Sequence, residues 1–265
     1  QRQMCIRDRY IKEQLIFMKN KKLHYRFFYY MFLTLIIILF ILLFLYFYKH
    51  FELKQNQSLD YYANFNDLKQ HTTKNKDWKI ITKYRKHSNT LITAIHGGGI
   101  EPGTTEIARR ISNIGQYHFY SFEGLRSDNN AQLHITSTVF DEPQLLDMLN
   151  HSSKIISIHG YAGDEPIVYV GGKDKTLVQS IRHSLTHHGF TVQKTPKGIE
   201  ALSNNNIINR GKKDTGVQLE LTTRQRALFF KQNNLDKNNR RSSKNYTRTF
   251  YRFAKAVDQG IKKAQ

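Results

Sequence analysis

The stretch 91–106, LITAIHGGGIEPGTTE, constrains the fold more than any other part of the chain. An apolar, strand-like run ends at His96, and the glycines 97–99 that follow allow chain reversals that a Cβ would resist. Glu101 comes after the glycines, so the turn can fold its carboxylate back onto the imidazole. A helical pattern then begins at Thr104. A strand that turns at glycines into a helix is typical of an α/β protein.

The rest of the chain beyond residue 59 also alternates between strand and helix patterns. The strand candidates are Leu91–Ile95, Ile135–Phe140, Ile155–Ile158, Ile167–Val170, Thr191–Gln193 and Val217–Leu221, and the helix candidates are Thr104–Ile114, Pro143–Asn150, Lys175–His187, Arg224–Asn233 and Thr247–Ile261. We therefore expect an α/β fold with an open mixed sheet flanked by helices. Open sheets of this kind bind ligands at the carboxyl ends of their strands.

A set of three metal-ligand side chains falls at two of those strand ends. His96 and Glu101 flank the glycine turn, and His159 ends the strand candidate 155–158. Three protein ligands with one open position are typical of catalytic zinc, which activates a water for hydrolysis. Two alternatives remain open at this point. The glycines could cradle a phosphate at a helix N-terminus, although the pattern lacks GxGxxG and GK[ST], or the histidines could be structural.

Seven motifs in order resemble those of one known family, across roughly residues 59–235. They are AIHGGGIEPGTTEIARRI (94–111), YSFEGL (120–125), LHITSTVFDEP (133–143), SIHGYAGDE (157–165), VYVGG (168–172), NIINRG (206–211) and GVQLELTTRQR (216–226). The chain resembles the poly-γ-glutamate hydrolase family, phage-type zinc enzymes that are related in fold to carboxypeptidase A.

The resemblance implies one Zn²⁺ per chain, held by His96, Glu101 and His159, and a catalytic carboxylate at Glu220. It also implies a zinc carboxypeptidase-like sheet and a γ-glutamyl polymer as substrate. From the strand pattern alone, Glu220 could equally be a carboxylate in a salt bridge. One residue departs from the pattern, because Tyr161 stands where we expect relatives more often to carry Cys. No ligand is lost by that change, and its effect on the shape of the pocket stays open.

Three further residues are candidates for substrate binding. Arg210 could hold a substrate carboxylate through a bidentate pair of hydrogen bonds, and Asn209 lies beside it in the same motif. His134 lies in the LHITST segment and could reach the substrate. Each has a structural alternative: an exposed loop arginine, a turn asparagine and a half-buried, hydrogen-bonded histidine.

The segment 27–48 is apolar and uncharged over 22 residues. A helix of that length crosses a hydrocarbon core of about 30 Å. Basic residues are denser before the segment than after it, so the positive-inside rule predicts that residues 1–26 are cytoplasmic. We therefore expect a single-pass signal anchor in the cell membrane with an extracellular catalytic domain. Cleavage as a signal peptide, and hence secretion, is the alternative.

The expected domain organisation follows from these segments. Residues 49–58 form a linker and residues 59–265 the zinc hydrolase domain. We expect Met18 as an alternative start, with residues 1–17 an artefact of gene calling. The single cysteine, Cys5, excludes structural disulfides and cysteine metal ligands in the domain.

The formal net charge of +20 favours anionic partners. A γ-glutamyl polymer and cell-wall peptides are both compatible with it, while no motif for nucleic-acid recognition accompanies the charge. Three functions are therefore compatible with the sequence. The first is a hydrolase of poly-γ-glutamate, the second a zinc amidase acting on γ-D-glutamyl bonds of cell-wall peptides, and the third an inactive surface protein that binds polyanions. The oligomeric state and the choice between endo and exo cleavage stay open.

Overall fold

The computed structural model describes residues 29–47 and 60–264, in two units that divide the chain into Gln1–Ser58 and Leu59–Gln265. In the first unit, helix α1 (Tyr29–Phe47) has 19 residues and is long and apolar enough to span a membrane or to act as a signal sequence. The predicted cytoplasmic segment 1–26 and linker 49–58 lie outside the described residues.

The second unit is built on a seven-stranded mixed sheet. Its strands are β1 (Trp78–Lys83), β2 (Thr90–Gly98), β3 (His118–Gly124), β4 (Lys154–Tyr161), β5 (Ile167–Gly172), β6 (Thr191–Gln193) and β7 (Val217–Thr222), and their order across the sheet is β1-β3-β2-β4-β7-β5-β6. The central strands β3, β2, β4 and β7 are parallel, whereas β1 and β5 run antiparallel to their neighbours β3 and β7. The expected α/β fold with an open mixed sheet is confirmed.

Helices cover both faces of this sheet. They are α2 (Phe65–His71), α3 (Thr104–Gly115), α4 (Pro143–Asn150), α5 (Lys175–His187), α6 (Thr223–Ala227), α7 (Lys237–Arg241) and α8 (Arg248–Lys263). One core contains Ile107, Ile181 and Phe253 from α3, α5 and α8, and the other contains Leu68 and Leu145 from α2 and α4. Each of these fully buried side chains contributes about 1.5–3 kcal/mol through the hydrophobic effect. Neither core covers the carboxyl ends of the parallel strands, so this edge of the sheet stays accessible.

The structure corrects the strand that the alternating pattern predicts at Ile135–Phe140. This segment is a loop, because its backbone groups bond to partners that are not neighbouring strands. The Ile135 carbonyl accepts from His96, and the Thr136 carbonyl accepts from the amides of Val139 and Phe140, which closes a turn. The predicted helix 224–233 is also shorter and ends at Ala227. The chain then turns so that Phe229 and Phe230 enter the core.

Candidate metal centre and its cleft

A β-bulge places His96 at the carboxyl end of β2. Between Ala94 and Gly97 the register against β3 shifts, so that β2 holds one extra residue there. Such a bulge changes the face towards which a strand's side chains point. The turn that follows needs Gly98, whose φ of +65° lies in the left-handed region. The Glu101 amide then donates to the His96 carbonyl (2.9 Å), which brings the Glu101 side chain back to the imidazole.

The structure brings the three predicted ligands together. Glu101 Oε1 lies 3.0 Å from His96 Nδ1, and His159 Nδ1 lies 3.1 Å from the same His96 nitrogen. Glu101 Oε2 lies 3.8 Å from His159 Nδ1. Ligand atoms bound about 2.0–2.1 Å from a tetrahedral zinc are separated by about 3.3 Å. The spacing of the three side chains is therefore compatible with their binding one metal ion.

In His96 and His159, the ring nitrogen Nε2 has a hydrogen-bond partner outside the cluster. The lone pair of the other nitrogen, Nδ1, then points towards the other ligands. His96 Nε2 donates to the Ile135 carbonyl (2.8 Å), because a carbonyl can only accept, and this leaves the lone pair of a neutral imidazole on Nδ1. His159 Nε2 lies 2.8 Å from Ser157 Oγ, which can accept in the same way. Two lone pairs and a carboxylate then face one another, an arrangement that repels unless a proton or a metal cation lies between them. The donor set therefore fits a divalent metal.

The pKa values show the same electrostatic arrangement. Burial alone would raise the pKa of Glu101, but the charge of His96 and its hydrogen bond outweigh burial and bring the pKa to about 2. Burial alone would lower the pKa of His96, but Glu101 gives it a net rise. Burial, together with the neighbouring histidines, lowers the pKa of His159 to about 3. The negative charge of Glu101 thus favours a positive charge at His96, and it would favour a metal cation at the same place.

His134 lies next to this cluster. Its ring lies against that of His96, with centroids 3.9 Å apart and planes tilted by 33°. His96, Glu101 and His134 offer ligand atoms that all lie within 4.8 Å of one another. His134 Nδ1 bonds to Asp60 Oδ1 at 2.6 Å. Four donor side chains therefore lie close together, and both His134 and His159 are candidates for a third ligand beside His96 and Glu101.

Glu220 lies on β7 directly opposite His159 in the register of the two parallel strands. It is buried, and its Oε1 accepts a hydrogen bond from Gln218 Nε2 (2.7 Å). Burial raises the pKa of Glu220 well above its usual value, and the charge of Glu101 raises it further. A carboxyl group with a raised pKa is suited to transferring protons near neutral pH.

Arg226 is a buried cation behind the cluster that sequence patterns do not identify as part of the site. Its guanidinium donates to the carbonyls of Leu221 (3.1 Å) and Pro102 (2.7 Å), one on each side of the site. Gly160 makes this approach possible, because a Cβ there would lie 2.8 Å from Arg226 Cζ and 2.9 Å from Glu101 Cβ. The signals in the sequence are the place of Arg226 at the end of the motif 216–226 and the glycine that follows His159.

A cavity of about 470 Å³ opens over these groups, and all of His96, Glu101, His134, His159 and Glu220 line it. Its other walls come from the loops 136–138 and 198–203 and from Tyr161. None of the described residues that line it is Lys or Arg. A larger cavity, about 690 Å³, lies at the amino ends of β2 and β4, away from these donors.

The structure does not bring Asn209 and Arg210 into the lining of this cavity. Asn209 is buried and donates to the carbonyls of Ala201 and Ser203, both at 2.9 Å, so it supports the loop that forms one wall. The exposed Arg210 donates to the Phe140 carbonyl (3.3 Å). A role for these residues in binding substrate stays a prediction.

Comparison with known proteins identifies relatives over most of this unit. Residues 62–256 match the family model described as poly-gamma-glutamate hydrolase. YmaC of Bacillus subtilis (strain 168) is 35% identical over 220 residues, which cover 82% of this chain and 91% of YmaC. YndL of the same organism is 40% identical over 173 residues, covering 64% of this chain and 67% of YndL.

Two solved structures share the fold. The structure of a bacteriophage poly-gamma-glutamate hydrolase has a TM-score of 0.74 at 34% identity, and the match covers 77% of this chain and 97% of that one. The zinc-free, apo structure of YndL has a TM-score of 0.71 at 36% identity, with coverage of 77% and 98%.

Proposed function

The chain belongs to the poly-gamma-glutamate hydrolase family, and from that premise we propose that it is a zinc-dependent hydrolase of the γ-glutamyl amide bonds in poly-γ-glutamate. The observation that carries the proposal is the convergence of His96, Glu101 and His159, whose donor atoms lie 3.0–3.8 Å apart at the bottom of the cavity. The zinc-free form of a relative at 36% identity supports the choice of metal.

His96, Glu101 and His159 would hold the zinc, one per chain. We favour His159 over His134 as the third ligand, because Ser157 already directs the His159 lone pair towards His96. Zinc when bound supplies a Lewis acid for the scissile carbonyl and lowers the pKa of a bound water to about 7. His134 then remains free to contact the substrate from the cavity wall.

Glu220 is the proposed proton carrier. It faces the same cavity as the ligands, and its raised pKa suits a group that takes a proton from the attacking water and gives it to the leaving amine. The hydrogen bond from Gln218 holds one carboxyl oxygen, which leaves the other for the reaction. Arg226 lies behind the site and stabilises the two buried carboxylates Glu101 and Glu220 through its charge.

We also propose that α1 anchors the enzyme in the cell membrane, with the hydrolase unit outside the cell. The helix supports either an anchor or a signal sequence. The basic residues that precede the apolar segment favour an anchor whose N-terminal side is cytoplasmic. Protease treatment of intact cells tests it, because a unit on the outer surface is degraded while a cytoplasmic marker survives.

The test of function uses the purified protein and measures both its metal content and the chain length of poly-γ-glutamate. We expect one zinc per chain and shortened polymer, with both lost in His96→Ala. Glu220→Gln should keep the zinc and lose the cleavage, while Glu165→Gln, which changes an exposed carboxylate, should keep both. Cleavage of γ-D-glutamyl cell-wall peptides but not of the polymer would contradict the assigned substrate.

A further inference from the structure

The loop 134–138 forms one wall of the cavity and is anchored by hydrogen bonds from outside it. The Ile207 amide donates to the Ser137 carbonyl (2.8 Å), and His96 Nε2 donates to the Ile135 carbonyl (2.8 Å). The remaining two anchors come from a single residue at the start of the described unit, Asp60. Asp60 Oδ1 bonds to His134 Nδ1 (2.6 Å), and Asp60 Oδ2 accepts from the Thr136 amide (2.5 Å).

We propose that Asp60 is a positioning residue of the hydrolase, which sets the orientation of His134 and of the loop that carries it. The inference rests on the proposed function, because His134 matters only if the cavity binds substrate. Asp60 lies 74 residues before His134 and outside the matched family segment 62–256, so no motif includes it. Its side chain is only 5% exposed.

The chemistry follows from which nitrogen of His134 is occupied. A carboxylate can only accept, so Nδ1 of His134 carries the proton, and Nε2 is the ring nitrogen left for the cavity. The second oxygen of Asp60 fixes the backbone two residues further on, at Thr136. Ile135, between these two anchors, bonds to His96. One carboxylate therefore orients a cavity histidine and the carbonyl that directs the lone pair of a metal ligand.

A carboxylate that only joined the first residues of the second unit to the rest of that unit would not orient His134 or the Ile135 carbonyl. Asp141 provides that comparison, because its Oδ1 accepts from the Phe65 amide (2.7 Å) and so joins the same two parts of the chain without contacting His134. Asp141→Asn is therefore the matched control for Asp60→Asn. An asparagine at position 60 has one accepting oxygen, which can serve His134 or Thr136 but not both.

The experiment measures turnover of poly-γ-glutamate by Asp60→Asn, Asp141→Asn, His134→Gln and the double variant Asp60→Asn/His134→Gln in the full chain. Loss of such a supporting partner typically reduces activity by about 10- to 100-fold. We expect a fall of that size in kcat for Asp60→Asn, with zinc content retained, and little change for Asp141→Asn. In the His134→Gln background, Asp60→Asn should reduce kcat by a smaller factor than in the wild-type background, since only its bond to the Thr136 amide then remains to be weakened. An equal loss in both backgrounds would overturn the inference.

A second readout does not depend on hydrolysis. In ¹⁵N-labelled, zinc-free protein, the His134 imidazole should show a protonated Nδ1, and this signature should be lost in Asp60→Ala, which removes both accepting oxygens, but kept in Asp141→Asn. An unchanged His134 signal in Asp60→Ala would overturn the inference, whatever the enzyme cleaves. A wild-type protein that keeps this signature but leaves the polymer intact would contradict the proposed function and not the role of Asp60. If the Asp60 variants do not fold, the wild-type spectrum still decides, because a His134 that carries its proton on Nε2 and none on Nδ1 would overturn the inference.

Discussion

Replacing Gly160 with alanine tests how closely the protein packs around the proposed metal centre. Gly160 follows His159 in β4, and its amide donates to Glu101 Oε2 (2.7 Å). A Cβ at this position would lie 2.9 Å from Glu101 Cβ and 2.8 Å from Arg226 Cζ, whereas ordinary contacts of a Cβ begin near 3.4 Å. One or both neighbours must therefore move by about half an ångström.

The size of that displacement decides the expected effect. Metal–ligand distances are held to within about 0.2 Å, so a shift of about half an ångström at Glu101 exceeds what the coordination sphere tolerates. We expect zinc affinity to fall by about 10- to 100-fold, comparable to the loss of a supporting partner. Overpacking of this kind also lowers the free energy of unfolding by about 1–3 kcal/mol.

The assay is competition for zinc between the purified protein and a chelating dye, combined with denaturant unfolding of the zinc-free protein. Gly189→Ala is the matched control, because Gly189 has a φ of +75° and nothing within 4 Å of an added Cβ. That change should destabilise the fold by about 1–2 kcal/mol through backbone strain and leave zinc affinity unchanged. Wild-type zinc affinity in Gly160→Ala, or an equal loss in both variants, would refute the reasoning.

Three other variants or conditions give distinct outcomes. Glu220→Gln should lower kcat by about 10²- to 10⁴-fold without changing zinc content, and a smaller effect would remove Glu220 from proton transfer. Zinc affinity should increase with pH, because the proton on His96 competes with the metal. Below the raised pKa of His96, the increase should be about tenfold per pH unit. Titrations that give the same zinc affinity at pH 6, 7 and 8 would contradict this. Arg240→Met should lower the free energy of unfolding, measured with urea, by about 3–5 kcal/mol. Arg240 donates to the buried Glu106 carboxylate (2.6 Å), which would lose its cation. Arg241→Met, at an exposed position, should leave the free energy of unfolding unchanged.

The fold was largely predictable from the sequence, because its central strands carry strong signals. β2, β4 and β7 are apolar runs that end in polar or glycine residues, and the helices α3 and α5 follow the expected period. The missed strands β1 and β3 lie side by side at one edge. Tyr120 and Phe122 of β3 enter one core and Phe119 the other, an aromatic alternation that would have identified this strand. The segment 135–140 is rich in β-branched residues, which are typical of strands, but its backbone groups bond to His96, to Asp60 and within its own turn.

The site was predictable only where its residues lie in motifs at strand ends. His96, Glu101 and His159 meet because parallel strands end at one edge of the sheet, and the glycine turn returns Glu101 to that edge. Asp60 and Arg226 were not predictable in these roles. The contacts of Asp60 with His134 and of Arg226 with Pro102 join segments that are far apart in the sequence, and no local pattern indicates these partners.

The most direct test of the central claim is the position of zinc in a crystal of the zinc-loaded protein, measured by anomalous scattering at the zinc edge. We expect one peak per chain within about 2.0–2.2 Å of His96 Nδ1, His159 Nδ1 and a Glu101 carboxylate oxygen. A peak bound by His134 in place of His159 would contradict the proposed ligand set. The absence of any peak between His96 and Glu101 would contradict the zinc hydrolase itself.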